Sequence, residues 1–248
     1  MPSRVIHYHG TPIGGARQDV ARFLIGRHAL VPFMRPDDLP VVMECCQSFT
    51  LDNSAFSHWR AGAGEVPFDD YMDWVRSIYR HPAFDWCLIP DVIDGDVEQN
   101  ARLVRDWVRC APPFKGVPVW HLHEPLEYLE WLVGNFETVA FGSSGQWAQT
   151  KTAGWWARIA DAMRVACDAG GRPKCRLHGL RMLDTEIFAH IPFTSCDSTN
   201  AGVNSGSLYR FGQYIPPTAA QRAAVIAERI EVQNSPPVWS GNRQCELI

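Results

Sequence analysis

Three aspartates stand where short, apolar-alternating runs give way to small polar residues: Asp52 in "SFTLDNSAFSHW", Asp91 in "FDWCLIPDVIDGD" and Asp197 in "FTSCDSTNAG". Breaking a bond at an anomeric carbon needs a nucleophile or ion-pair partner on one face of the sugar and an acid for the departing group on the other. Acids on different strands of one site can divide those roles. Proton delivery alone is worth about 10²- to 10⁴-fold, roughly 3 to 5 kcal/mol of barrier. The competing reading is structural: an Asp before Ser, Thr or Asn closes an Asx turn or caps a helix.

Histidines form the second group, with "HYH" at His7 and His9, "HLH" at His121 and His123, and His178 alone. Residues two apart on a strand point to the same side, so His-x-His can chelate one metal ion. With Asp197 these five histidines would suit a metal-dependent hydrolase barrel of the amidohydrolase type. Such sites commonly recruit a bridging lysine, and neither Lys115 nor Lys151 sits at a strand end. The alternative is that the imidazoles fill polar layers or hydrogen-bond a substrate, with no metal. Two glycine-rich turns, "HGTPIGGARQDV" and "FGSSGQW", lack the spacings of a dinucleotide fingerprint or a P-loop. In the second, Gly142 and Gly145 let backbone approach a planar ligand or simply form the βα turn.

The elements that must carry these residues alternate β-type runs with amphipathic segments, the pattern of βα units around a parallel sheet. Strands are expected at "RVIHYHG", "QSFTLD", "FDWCLIPD", "GVPVWHLH", "ETVAFG", "KCRLHG" and "PFTSCDS". Helices are expected at "RQDVARFLIG", "FDDYMDWVRSIYR", "DVEQNARLVRDWVRC", "PLEYLEWLVGNF", "KTAGWWARIADAMRVACDAG", "MLDTEIFAH" and "TAAQRAAVIAERIEVQ", the last capped by Thr218. His9, Asp52, Asp91, His121, His123, Gly142, His178 and Asp197 all fall at or just past strand C-termini, where α/β folds build their sites. Seven such strands fit a barrel lacking one strand or a doubly wound sheet; a barrel brings these residues around one mouth, whereas an open sheet leaves the outer ones apart. The expectation is a single (β/α)8 TIM-like barrel over 1–248 with one strand irregular or missing, and a short tail from about 234 to 248.

A chain of 248 residues with 46% hydrophobic content can bury such a core, and its formal charge of -4 argues against coating nucleic acid by bulk attraction. A local basic groove is still compatible with that charge. Only Lys115, Lys151 and Lys174 are lysine among 23 basic residues; the arginine bias suits bidentate phosphate binding, and equally the composition of a GC-rich genome. The N-terminus has no secretion-signal pattern and no window approaches the roughly 20 apolar residues of a membrane span. A soluble, cytoplasmic protein is expected. Its eight scattered cysteines, two of them adjacent, read as reduced thiols.

Together these motifs resemble the tRNA-guanine transglycosylase family, and more specifically its shortened phage-type branch, which exchanges guanine in DNA for a 7-deazaguanine base such as a preQ0-like derivative. "LDNSAFS" is similar to the family's aspartate-serine-glycine-glycine-phenylalanine motif, keeping Asp52 and Phe56 and substituting Asn53, Ser54 and Ala55. "SCDST" matches the nucleophile motif at Asp197, Asp91 stands at the base-recognising aspartate, and "VAFGSSGQW" resembles the base-contacting loop with Gly142 and Ser143. The resemblance runs from Val5 to Gly206. It implies a pentosyltransferase with Asp197 as nucleophile, Asp52 as acid/base, and base contacts from Asp91, His121, His123, Gly142, Ser143 and Phe56. His121 or His123 takes the place of a glutamine of the family.

His9 and His178 are expected to line the pocket, and Arg60, Arg181 and Arg210 to hold nucleic-acid backbone. No cofactor or metal is implied. After Cys196 the sole cysteine is Cys245, so the zinc subdomain of the tRNA enzymes is missing and DNA is favoured over tRNA. The partners implied are DNA, a free 7-deazaguanine and either a partner subunit or a second copy of the chain, in the host cytoplasm if phage-encoded. A non-catalytic nucleic-acid-binding barrel is the third reading of the same features.

Overall fold

The computed structural model describes residues 4–241. The chain runs β1 (Ile6–Gly10), α1 (Arg17–Leu24), β2 (His28–Pro32), α2 (Leu39–Cys45), β3 (Ser48–Asp52), α3 (Ala55–Ala61), α4 (Phe68–Ile78), β4 (Phe84–Leu88) and α5 (Val97–Cys110). It continues through β5 (Gly116–Val117), β6 (Val119–His121), α6 (Leu126–Asn135), β7 (Thr138–Gly142), α7 (Ala153–Ala166), β8 (Arg176–Gly179), α8 (Thr185–Phe188), β9 (Ser195–Ser198), α9 (Asn200–Asn204) and α10 (Ala219–Glu231).

All neighbouring strands pair in parallel, in the order β5-β4-β3-β2-β1-β9-β8-β7-β6. The two end strands are consecutive in sequence, with Pro118 alone between them. They are halves of one strand. Ile89 donates its N–H to the Val117 carbonyl at 2.9 Å on one side, and Ala140 donates to the Pro118 carbonyl at 2.9 Å on the other. Counting the halves together gives eight strands and a closed (β/α)8 barrel.

The strand not foreseen in the sequence is β2. It has five residues, HALVP, and Ala and Leu carry weak β preference; it is held by β1 and β3 on its two sides. Two short helices also replace expected turns. Ser54 adopts a left-handed φ of 64° and turns the chain directly into α3, and α9 begins two residues beyond β9. The helix expected over 182–190 shrinks to Thr185–Phe188. A third short helix, α2, is also not expected from the sequence, whereas α5 and α10 start where their caps say: Asp96 with Gln99, and Thr218 with Gln221, form reciprocal capping boxes.

Side-chain alternation sorts residues into two cores. Tyr8, Leu30, Trp86, Leu88, Val117, Val119 and Ala140 fill the barrel lumen, whereas Phe49, Leu51, Cys87, Trp120, Phe141, Leu177 and Cys196 face the helices. The expected tail is tied down over its described part: Asn234 Oδ1 accepts from Val5 N–H at 2.7 Å, and Trp239 N–H donates to the Gly171 carbonyl at 2.7 Å. Cys245 lies outside the described residues. Cys45, Cys46, Cys87, Cys110, Cys167, Cys175 and Cys196 are free thiols. No helix among the described residues is long and apolar enough to cross a membrane.

Candidate active site

Strand parity decides which polar side chains enter the lumen. Thr50 and Asp52 share one face of β3; Val117, Val119 and His121 share another along β5 and β6; Ala140 and Gly142 do so on β7, and Ser195 and Asp197 on β9. Asp52, His121, Gly142 and Asp197 therefore emerge at the C-terminal mouth, joined by Asp91 from the loop after β4. They line one cavity of about 390 Å³, together with Phe56, Ser143, Arg60 and Arg181. That volume lies within the range of small-molecule sites, roughly 300 to 1,000 Å³.

Asp197 is held by one oxygen. Its Oδ1 accepts from the Arg181 backbone N–H at 3.0 Å and lies 3.2 Å from His178 Nε2, while His178 Nδ1 is 2.8 Å from Ser195 Oγ. With Nε2 protonated, the imidazole donates to Asp197 and accepts from the serine hydroxyl. Oδ2 makes no hydrogen bond with any described residue. Arg181 reaches this position at a left-handed φ of 59°, a conformation that costs a non-glycine residue about 1 to 2 kcal/mol. His178 is fully buried, packed edge-on against Trp86 at 4.8 Å.

Asp91 is clamped at both oxygens. Asn53 Nδ2 donates to Oδ1 at 2.7 Å and His121 Nε2 meets Oδ2 at 2.8 Å. Asn53 is itself fixed, donating to the Ile89 carbonyl and accepting the Ala55 N–H. Behind His121, its backbone N–H donates to Glu124 Oε2 at 2.8 Å, and Asn100 Nδ2 donates to Glu124 Oε1 at 2.8 Å. Burial pulls the His121 pKa down, but the hydrogen bond and charge of Asp91, with Glu124 and Asp94, outweigh it and leave His121 above its ordinary value. Burial also raises Glu124, against the pull of His121 and Asn100. A Cβ on Gly142 would come 2.9 Å from His121 Nδ1, so only glycine lets this ring sit as it does.

Asp52 is enclosed between these two clusters. Burial, then the charges of Asp197 and Asp91, push its carboxyl up to about 7, against the pull of the Ser54 backbone N–H. At neutral pH it is poised to give or take a proton. Above it the Phe56 ring is flanked by cations, with the Arg181 guanidinium 4.2 Å and that of Arg60 5.9 Å from its centroid. The site thus combines an acidic floor with an aromatic and cationic rim.

Several expected site residues lie elsewhere. Because Tyr8 takes the lumen side of β1, His7 and His9 face the helices: His7 packs edge-on against Phe188, and His9 Nε2 lies 2.8 Å from Glu231 Oε1. His9 is thus no pocket residue, and the five histidines and Asp197 do not converge on one point. His178 is beneath the pocket, touching it only through Asp197. His123 points into the loops, with Nε2 3.1 Å from the Gly95 carbonyl, Nδ1 3.3 Å from Ser144 Oγ and its ring stacked on His121. Ser143 lines the cavity but its Oγ accepts from Trp155 Nε1 at 2.9 Å. Arg210 belongs to an adjoining groove. Among the described residues, no cluster of three or more His, Cys, Asp or Glu could hold a metal ion.

The residues the sequence reading passed over are Asn53, Asn100 and Glu124, which hold Asp91 and His121 in place. Asn53 was legible only as a turn former beside Asp52; Glu124, an acid between a histidine and a proline in "HLHEP", was the one visible signal of a buried partner.

Fold and mouth together define the class, a (β/α)8 barrel with its polar site at the strand C-termini. No family model and no curated protein matches the chain. Among solved structures it is similar to a candidate fructose-1,6-biphosphate aldolase from Coccidioides immitis, at 14% identity and a TM-score of 0.61, covering 99% of this chain and 94% of that one. It is also similar to the tryptophan synthase α-subunit of Pyrococcus furiosus at 12% identity and TM-score 0.52, covering 92% of this chain and 98% of that one. The α2β2 complex from the same organism gives 11% identity and TM-score 0.51, with 94% of this chain and 97% of that one covered. At such identities the likeness shows the fold alone.

Proposed function

We propose that the protein is a base-exchanging glycosyltransferase that replaces guanine in DNA with a 7-deazaguanine. The observation carrying this reading is that the unbonded Oδ2 of Asp197 and the carboxyl of Asp52, held up to about 7, line one cavity beside the clamped Asp91. The histidine-based hydrolase reading has no comparable support, since His7 and His9 point away from that cavity.

In this mechanism Oδ2 of Asp197 attacks C1′ of a deoxyguanosine. The C1′–N9 bond breaks, its electron pair leaves with the base, and Asp52 supplies the proton that lets guanine depart neutral. A 7-deazaguanine then enters, gives its N9 proton to the Asp52 carboxylate, and attacks C1′ as the C1′–Oδ2 ester bond breaks. Two inversions give net retention. Asp91 is placed to accept from the N–H edge of the purine while Phe56 covers its face. C1′ is shielded inside a stacked duplex, so the nucleotide must leave the stack, at a cost of a few kcal/mol. The three carboxylates disfavour phosphate on the floor, and Arg60 and Arg181 receive it at the rim.

The test is mass spectrometry of nucleosides from DNA incubated with the protein and a panel of 7-deazaguanines, with tRNA in parallel. Incorporation into DNA by the wild type and its loss in a folded Asp197→Asn variant are expected. Incorporation by Asp197→Asn would overturn the covalent mechanism, and modification of tRNA alone would overturn the DNA assignment.

A further inference from the structure

A second groove, of about 770 Å³, opens on the β8–β9 side of the mouth and shares Arg181 and Thr199 with the catalytic cavity, so the two adjoin. Four cations, Lys151, Arg181, Arg210 and Arg229, and two acids, Asp184 and Glu186, line it. Both acids are engaged by Lys151, at 3.0 and 2.7 Å. None of the three arginines forms an ion pair among the described residues, the two acids of the groove being taken by Lys151.

This differs from the helix ring, where Arg22, Arg76, Arg109 and Arg164 each bind an aspartate three residues away. On a chain of net charge -4, a concentration of unpaired arginines beside the active site is a local reversal of sign. Aromatic surface accompanies it. Tyr209 is 81% exposed with the Arg210 guanidinium 5.8 Å from its ring centroid, and Arg229 braces the turn by donating to the Arg210 carbonyl at 3.2 Å. The same pairing of ring and guanidinium recurs inside the mouth at Phe56 and Arg181.

A groove lined by unpaired guanidinium groups, with the open ring of Tyr209 beside it on the residue preceding Arg210, is complementary to a strand whose phosphates and unstacked bases are both accessible. A duplex offers phosphates alone, its base faces being taken. We infer that the nucleotides flanking the target lie in this groove as single-stranded DNA, with Tyr209 as a stacking platform and Arg210 and Arg229 on the phosphates, so that the enzyme takes an opened strand. The inference rests on the DNA reading above and names the form in which that substrate is held.

The test is fluorescence anisotropy with a short labelled single strand carrying one guanine, and with the same sequence as a blunt duplex, in the absence of free base. Tighter binding of the single strand is expected. Tyr209→Ala and Arg210→Ala should each weaken it about tenfold, equivalent to about 1.4 kcal/mol. Arg210→Ala should also flatten the log-log salt dependence by about 0.7. Tyr209→Phe, which keeps the ring, should bind as the wild type does, and so should Arg109→Ala, which removes a paired arginine of the helix ring. Tyr209 and Arg210 are both exposed, and unchanged melting temperatures would confirm that the variants fold.

Wild-type affinity in both Tyr209→Ala and Arg210→Ala, or preference for the duplex in every form, would overturn the strand path while leaving Asp197-dependent exchange standing. Loss of single-strand affinity in these variants, in a protein that exchanges no base in any nucleic acid, would keep the strand path and remove the transglycosylase reading.

Discussion

Two regions of this barrel bury imidazole and carboxylate side by side and treat them in opposite ways. Between β1 and the helices, Glu231 meets His9 at 2.8 Å and the Arg27 Nε at 2.9 Å; burial pushes its pKa up, but these partners prevail and hold it at about 2. In the mouth, Asp52 shares its surroundings with Asp91 and Asp197 and has no cation of its own, so its carboxyl is pushed up to about 7. The residue types are the same and the direction of the shift is reversed. A carboxylate matched by cations fastens α10 to the barrel, whereas an excess of carboxylates leaves one group able to exchange a proton near neutrality.

The strongest way to break this contrast is Asp52→Asn. An amide cannot deliver the proton, and base exchange should fall by about 10²- to 10⁴-fold. Stability should move the other way. A carboxyl raised from 3.8 to about 7 in the folded state binds its proton more tightly there, so the wild type loses stability as pH rises between those values. The variant lacks that loss and should melt higher than the wild type at pH above 7, as calorimetry across pH will read. Equal melting at all pH values would mean that Asp52 is not strained in the mouth.

A smaller effect is expected at His178, a positioning residue that acts through Asp197. His178→Ala removes one of the two donors to Oδ1. A hydrogen bond to a charged group is worth about 1.5 to 3 kcal/mol, so kcat should drop about 10- to 100-fold with KM little changed, and His178→Gln should restore part of it. A rise in KM alone would place His178 in binding instead.

The smallest effect sharpens the other side. Glu231→Gln should cost about 1 to 2 kcal/mol of stability at neutral pH, after allowance for its partial exposure, with turnover of the folded protein unchanged. The folded carboxyl is lowered from 4.5 to about 2, so its contribution is complete above about 4.5 and lost as pH falls through 2. The deficit of the variant in calorimetry should therefore shrink over that range.

The sequence made much of this legible because strand ends are chemically marked. Asp52, Asp91, His121, Gly142 and Asp197 were each readable as the polar residue at the end of a β-type run, and the barrel followed from needing them around one mouth. Two things were not readable. Period two puts His7 and His9 on one side of β1 without saying which; Tyr8, which packs among Trp86 and His178 in the lumen, decides it. The strand HALVP carries no alternation beyond its five residues, and its place is fixed by β1 and β3, a tertiary fact. The supports Asn53, Asn100 and Glu124 escaped for a related reason, since a side chain that serves another side chain leaves no periodic trace.

Pro118 gives the ring of strands a particular mechanical character. One arc, from β1 to β5, carries Asp52 and Asp91; the other, from β6 to β9, carries His121 and Asp197. They meet at the β1–β9 ladder and again at a single imide that has no N–H to give. That second junction is the chain itself, one strand bonding β4 through its first half and β7 through its second, so the ring is completed there by a covalent link and the acids of both arcs hang from one unbroken hoop.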